Sequence, residues 1–382
     1  MKHMKSYRVR IFPTKEQERN MWQHIGACRY MWNYLLELQE KRYENGEKHL
    51  HAYDMSKLIT QLKKNDEYKW LCDISQKSIQ QICRDLDDAY DMFFKKISRK
   101  PKFKSKKKSK QVYPVRIDRF YFKDDKFLNI EKIGKVRYKT DFTFPIGRCA
   151  QNYCNVRALH DNGKWFVSFA IECESQAPEL TEINMGIDLG IKDLAVVEFN
   201  GEQITFHNIN RSKKMKALNN KLVHMQRSIS RKYEQNKQGK KYIKTNNIIR
   251  EEEKLRKIHA KITNIRKNYM HQTTHELVSM LPKRVVMEDL DVSGMMKNRR
   301  LSKEVQQQCF YEFIRQMKYK CEWNCIEFVQ ADRFFPSSKT CSECGCIKND
   351  LKLSDRVYVC NHCGLVIDRD YNAAVNLSKY VA

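Results

Sequence analysis

The chain has 382 residues, 41% of them apolar and 11% aromatic. That is enough to bury the cores of two or three domains and too apolar for a disordered protein. Lysine and arginine total 73 against 46 acids, a formal charge of +27, and a compact body so charged repels itself unless a polyanion neutralises it; nucleic acid is the expected partner. No run approaches the ~20 apolar residues of a membrane span. Met1 to Arg10 lacks the apolar core of a signal peptide, so a cytoplasmic, nucleoid-associated protein with no membrane partner is expected.

Tyr7, Val9 and Ile11 alternate with Arg8 and Arg10, which predicts a strand with one basic face. Pro13 ends it, and Thr14 followed three residues later by Gln17 is a capping box that opens a helix. Met21, Trp22, Ile25, Cys28, Met31, Trp32 and Leu35 recur at helical spacing, and the periodicity continues to about Lys96 through Leu58, Leu62, Ile79, Ile82 and Leu86. Residues 95–110, KKISRKPKFKSKKKSK, hold ten basic side chains and no acid, so packing cannot use them and they are expected to be exposed. The segment reads either as a solvated linker or as a backbone-phosphate contact through Lys102, Phe103, Lys104, Lys106, Lys107 and Lys108, with Phe103 able to stack. From Val112 to Glu174 short alternating runs, among them Phe120-Tyr121-Phe122 and Trp165-Phe166-Val167, predict an antiparallel β-domain that the N-terminal strand can join.

From Asn184 the pattern is α/β. Ile187 to Phe199 predicts two apolar strands around a turn. Residues 211–270 form a helical stretch with 19 basic and four acidic side chains, broken near Lys237–Lys240, whose stripe of Leu255, Ile258, Ile262 and Ile265 is core. A buried strand over 284–288, a helix over 305–323 and a strand over 326–331 follow. Of the 14 cysteines, ten, including Cys28, Cys72, Cys83 and Cys309, lack framework spacing and are expected as buried thiols in a reducing compartment.

The other four form Cys341-x2-Cys344 and Cys360-x2-Cys363, two knuckles separated by fifteen residues, each followed by a glycine (Gly345, Gly364) suited to positive φ. Four thiolates complete the shell of one structural zinc ion, with Cys346 and His362 as alternative ligands.

Cutting a phosphodiester needs an activated water and stabilised charge on the attacking and leaving oxygens, the chemistry of two magnesium ions roughly 4 Å apart on hard oxygen ligands. Three acids fit such a role. Asp188 sits in Asn-Met-Gly-Ile-Asp-Leu-Gly, on a strand where the flanking glycines let backbone or ligand approach closely. Glu288 ends Arg-Val-Val-Met-Glu at the carboxyl edge of a strand, with Asp289 as its competitor. Asp370 precedes a C-terminal helix running through Leu377, with Asp368 as the competitor, and could itself be no more than a helix cap.

Arg10-Ile-Phe-Pro-Thr-Lys-Glu-Gln17, Gly186-Ile-Asp-Leu-Gly-Ile-Lys192, Val286-Met-Glu-Asp-Leu290, Phe335-Pro-Ser-Ser-Lys-Thr-Cys-Ser-Glu-Cys-Gly345 and Asp368-Arg-Asp-Tyr-Asn-Ala-Ala374 together resemble TnpB, the insertion-sequence nuclease family related to type V CRISPR effectors, over essentially the whole chain. The resemblance implies a multidomain α+β protein. A RuvC-like (RNase H-type) α/β nuclease domain would span 181–335 and 367–382, with a zinc hairpin inserted at 336–366. A wedge-like β-barrel would span 1–12 and 111–180, with a helical recognition block and basic linker inserted at 13–110. It also implies Asp188, Glu288 and Asp370 as the magnesium triad of an endonuclease, a noncoding guide RNA, and a double-stranded DNA target cut beside a short adjacent motif. The rival readings are an RNA-independent transposase, a nuclease-inactive RNA-guided repressor, and a CRISPR-associated effector of similar build.

Overall fold

In the computed structural model, which describes residues 2–147, 152–174, 176–352 and 355–381, the chain divides into two units after Glu174. In the first, β1 (Lys2–Phe12) buries Val9 and Ile11 and turns Arg8 outward, as the alternation predicts. Helix α1 (Lys15–Glu44) starts at a complete capping box: the Thr14 hydroxyl accepts from the Gln17 N–H, and the Gln17 carboxamide oxygen accepts from the Thr14 N–H at 3.0 Å. Helices α2 (Ala52–Leu62) and α3 (Gln76–Phe94) follow, burying Met55, Ile59, Ile79, Ile82 and Leu86. Strands β2 (Gln111–Pro114), β3 (Tyr121–Phe122), β4 (Phe127–Ile130), β5 (Gly134–Lys139), β6 (Tyr153–Asp161) and β7 (Lys164–Glu174) join β1 in a seven-stranded antiparallel sheet of order β2-β6-β7-β1-β5-β4-β3. The N-terminal strand is thus central, paired with β7 on one side and β5 on the other.

The basic segment departs from the sequence reading in one respect. It is strapped along α1: Trp32 Nε1 donates to the Lys102 carbonyl at 3.0 Å, and Asn33 exchanges two hydrogen bonds with the Lys104 backbone. Lys102, Phe103, Lys106, Lys107 and Lys108 are exposed, but Lys104 turns inward and lays its ammonium 3.3 Å from the Trp32 ring centre, and burial pulls its pKa down to about 8.

In the second unit β8 (Asn184–Leu189), β9 (Asp193–Phe199) and β10 (Glu202–His207) form an antiparallel meander. Helix α4 (Lys213–Gln235), the short hairpin of β11 (Lys237–Gln238) and β12 (Lys241–Tyr242), and α5 (Asn246–Ser279) come next; Ile258 and Ile262 pack with Met215 and Met225. Strand β13 (Arg284–Glu288) then enters the sheet parallel to β8. After α6 (Val292–Lys297), α7 (Ser302–Gln308) and α8 (Phe310–Trp323), β14 (Glu327–Ala331) adds parallel to β13, giving the order β10-β9-β8-β13-β14. The single helix expected over 305–323 is broken at Cys309, which adopts a left-handed φ of +57°. Gln308 explains the turn, because its buried amide donates to the Gly190 and Ile191 carbonyls at 2.9 and 3.2 Å. The chain ends with β15 (Val357–Val359), β16 (Val366–Asp368) and α9 (Arg369–Ser378).

Side-chain parity sorts this sheet into two faces. Met185, Ile187, Val285 and Met287 pack with Met270 and Leu277 of α5 and Phe310, Phe313 and Met317 of α8. Val286 packs with Leu377 of α9 on the other. The cysteines expected in the core are split: Cys28 and Cys83 are buried, but Cys309 is half-buried and Cys72 is exposed, in a turn where its neighbour Leu71 takes the core position. No helix among the described residues is long and apolar enough to cross a membrane.

A candidate active site of three carboxylates

Residues two apart on a strand share a face. Asp188 therefore lies on the face of Gly186, and Glu288 on that of Val286. Gly186 pairs with Val286 and Ile187 with Met287 in register, so the two acids leave adjacent parallel strands at one level on the side covered by α9. That helix lies very close: a Cβ on Gly186 would stand 1.9 Å from the Ala374 carbonyl oxygen. The glycine before Asp188 is thus the point of close backbone approach that the sequence suggested.

Asp370 comes from the first turn of α9. Its competitor Asp368 is the cap, accepting from the Asp370 and Tyr371 N–H groups at 2.9 and 3.1 Å. Asp370 instead pairs with Arg369 at 2.8 Å and with Arg356 at 3.5 Å. Asp289, the competitor of Glu288, is engaged by Arg333 at 2.7 Å. Glu288 accepts a short hydrogen bond from the Ser337 hydroxyl.

The charges of the three acids interact. Burial first, then repulsion from Glu288 and Asp370, holds the Asp188 carboxyl well above the usual carboxylate range. Burial and Asp370 raise Glu288 too, against the opposing pull of the Ser337 bond and Arg369. Like-charged hard oxygens that resist ionisation together are a donor set that a hard divalent cation relieves, so these residues suit magnesium.

The four cysteines gather as their spacing predicts. Cys341 and Cys363 place their sulfurs 3.5 Å apart, and Cys344 and Cys360 3.6 Å, close to the about 3.8 Å edge of a tetrahedron with metal–sulfur bonds of about 2.3 Å. Both knuckles have the same backbone: the Cys341 N–H donates to Cys346 and the Cys360 N–H to Leu365, and Gly345 and Gly364 take φ of +74° and +76°. N–H groups of Cys363 and His362 aim at the Cys360 sulfur and pull its thiol down to about 6, toward the thiolate that binds metal. Cys344, Cys346 and His362 form an overlapping second grouping, with His362 exposed.

Sequence reasoning missed the residues that tie this cluster to the carboxylates. Asn372, fully buried, accepts from the Ser342 N–H at 3.0 Å and donates to the Thr340 carbonyl at 2.7 Å. Asn376 donates to the Ser337 and Thr340 carbonyls, both at 2.7 Å. The turn over 336–342 therefore holds Glu288 through a hydroxyl, α9 through two asparagines, and the first knuckle through the chain itself. Its only sequence signal is the unusual density of Ser and Thr in Pro-Ser-Ser-Lys-Thr-Cys ahead of the knuckle.

Family models described as "Cas12f1-like, TNB domain", "Probable transposase" and "Helix-turn-helix domain" match residues 310–377, 168–299 and 1–48. In the last of these segments the structure holds β1 and α1, a strand and one long helix. A Streptomyces pristinaespiralis protein named "Putative RNA-guided DNA endonuclease" is 30% identical over 98% of this chain and 88% of its own. "Putative RNA-guided DNA endonuclease InsQ" of Escherichia coli (strain K12) is 28% identical over 99% of this chain and 92% of its own. A solved "Cas12f1-sgRNA-target DNA complex" aligns over 98% of this chain and 99% of that one at 15% identity, with a TM-score of 0.38. By its match to relatives along nearly their full length, the chain belongs to the TnpB family of transposon-associated RNA-guided DNA endonucleases.

Proposed function

We propose that this chain cuts double-stranded DNA selected by base pairing to a bound noncoding RNA, with Asp188, Glu288 and Asp370 as the ligands of two magnesium ions. The observation that carries the reading is that Asp188 and Glu288, on adjacent strands, lie on the side covered by α9, whose first turn bears Asp370, so that carboxylates separated by up to 182 positions in sequence act on one another's charge. Bound magnesium would supply the activated water and the stabilisation of charge on the departing oxygen. The chain's own part is positional. Ser337 orients Glu288, Arg369 and Arg356 hold Asp370, and the closeness of α9 to Gly186 sets how far Asp370 stands from Asp188.

On this reading the 176–381 unit is a RuvC-like, RNase H-type nuclease and the cysteine cluster is its structural zinc site, closed by four protein ligands and so without a catalytic position. The sheet of the 2–174 unit serves as the wedge-like barrel, its helices as the recognition block. The exposed Lys102, Phe103, Lys106, Lys107 and Lys108 contact RNA or DNA backbone, and a short motif beside the target is read by protein. An excess of 27 positive charges suits a protein that must neutralise two nucleic acids.

The test is Asp188→Ala in the protein purified with its RNA. Cleavage of matched DNA disappears, while guide-dependent DNA binding persists. A variant that still cuts removes Asp188 from the site, and cleavage by protein stripped of RNA replaces this reading with an RNA-independent transposase.

A further inference from the structure

The 2–174 unit holds a second constellation of ligand-type side chains, remote in sequence from both the cysteines and the three acids. His49 and His51 lie in the segment joining α1 to α2, and Asp87 lies on α3. Their donor atoms all fall within 4.8 Å of one another. Asp87 Oδ1 stands 3.2 Å from His49 Nε2 and 3.3 Å from His51 Nδ1. Ligands about 2.0–2.1 Å from a tetrahedral ion are about 3.3–3.4 Å apart, so these separations are those of two edges of one coordination shell.

Hydrogen-bonded imidazoles around a carboxylate would show similar distances, and a count of bound metal separates the two cases; beside the trio lies Gln39. Its amide orientation is fixed by the Leu50 backbone: Oε1 accepts from the Leu50 N–H at 3.1 Å, and Nε2 donates to the Leu50 carbonyl at 2.6 Å. The same NH2 group stands 3.4 Å from His49 Nε2. That nitrogen has one in-plane lone pair, so an ion bound there takes the place of the Gln39 contact, and the Gln39 amide keeps its bonds to the Leu50 backbone.

The surroundings also suit an ion. Asp87 Oδ2 accepts from the Ala52 N–H at 2.8 Å, which fixes the carboxylate and leaves Oδ1 for the ion. The His49 ring is held edge-on against Tyr90 and Phe94 at 5.0 and 5.9 Å between centres. In a strongly basic chain, this half of α3 carries Asp85, Asp87, Asp88 and Asp91 against one arginine, Arg84. The His51 side chain is 70% exposed, so the remaining coordination position opens to water.

We propose that His49, His51 and Asp87 bind one divalent ion of the zinc class, which clamps the link between α1 and α2 onto α3. Two imidazoles and one carboxylate favour zinc, cobalt(II) or nickel(II) over magnesium, which prefers oxygen ligands and keeps its waters.

The full chain, with its RNA and in excess magnesium, is equilibrated with Zn2+ and its bound zinc counted against protein. Wild type carries one more zinc per chain than His51→Ala and Asp87→Asn. His51→Ala removes an exposed side chain and Asp87→Asn keeps an oxygen for the Ala52 N–H, so neither is expected to prevent folding. In parallel, Ni2+ alone raises the melting temperature of wild type by more than that of His51→Ala. Equal zinc content in wild type and both variants, or a Ni2+ shift in His51→Ala as large as in wild type, overturns the proposal. Because the comparison is between variants at this trio, its outcome does not depend on what the three acids bind.

Discussion

Replacing Gly186 by alanine tests how the site is set. The new Cβ would meet the Ala374 carbonyl oxygen at 1.9 Å and the Ser378 nitrogen at 2.5 Å, whereas real Cβ atoms keep about 3.0 Å or more. Both opposing atoms are backbone, so no flexible tip can yield, and α9 must retreat from β8 by about 1 Å. Overpacking of this kind costs about 1–3 kcal/mol and sometimes more. At about 2–4 °C per kcal/mol for a unit of this size, the melting temperature should fall by about 2–12 °C. The catalytic effect should exceed that of stability, because Asp370 travels with α9 while Asp188 stays on β8, and a misplacement of about 1 Å costs about a hundredfold in rate. The assay is single-turnover cleavage by RNA-loaded protein well below both melting midpoints, with guide binding measured alongside. Parental cleavage by Gly186→Ala would mean that the distance from α9 to β8 does not govern the chemistry, and Asp370 could not be the third ligand.

Asp188→Asn should raise the melting temperature in chelator at neutral pH, by about 2–4 °C for each kcal/mol of repulsion relieved. The folded pKa of Asp188 lies above its unfolded value, so folding holds extra protons, and stability falls as pH rises from the ordinary carboxylate range through the raised pKa; Asp188→Asn should flatten that profile in thermal melts, and an unchanged profile would refute the charge clustering. Ser337→Ala should retain cleavage but need roughly tenfold more magnesium, since a hydrogen bond to a charged group contributes about 1.5–3 kcal/mol, and an unaltered magnesium titration would remove Ser337 from its orienting role. Cys360→Ser should lower zinc content and cleavage together with no rescue by added magnesium; normal cleavage by zinc-free protein would show the two sites to be independent. The Lys106, Lys107 and Lys108 triple alanine variant should reduce the slope of log affinity for RNA against log salt by about two, while Lys104→Met, whose ammonium packs on Trp32, should leave it unchanged.

What the sequence disclosed was local. The capping box of Thr14 and Gln17, the two knuckles with their glycines, and the strand ending at Glu288 are each decided within a few residues. Which of two neighbouring acids turns inward was not legible. Val285, Val286 and Met287 are all buried, because a parallel strand between two layers has no polar face from which to read parity. The choice between Asp368 and Asp370 depended on which one the α9 N–H groups engage. Lys104 was indistinguishable from its neighbours in composition, and only the Trp32 ring and the Asn33 bonds draw it inward. The helix break at Cys309 follows from Gln308 reaching carbonyls nearly 120 residues away, a contact with no periodic signature.

The same distinction between local and distant explains why the cysteine cluster sits where it does. Three acids placed together repel one another, and burial, followed by the charges of Glu288 and Asp370, raises the Asp188 pKa. Strands β8 and β13 fix two of them through paired backbone. The third rides on a ten-residue terminal helix, which has little intrinsic stability at that length and must be held from outside. Asn372, Asn376 and Lys379 provide that hold, and every one of their bonds to the 336–342 turn ends on its backbone rather than on a side chain. Backbone groups are useful anchors only if the turn is rigid. A knuckle beginning at Cys341 and closed on a metal ion would make it so, which would give the cluster a mechanical reason to lie between the second and third acids in the chain.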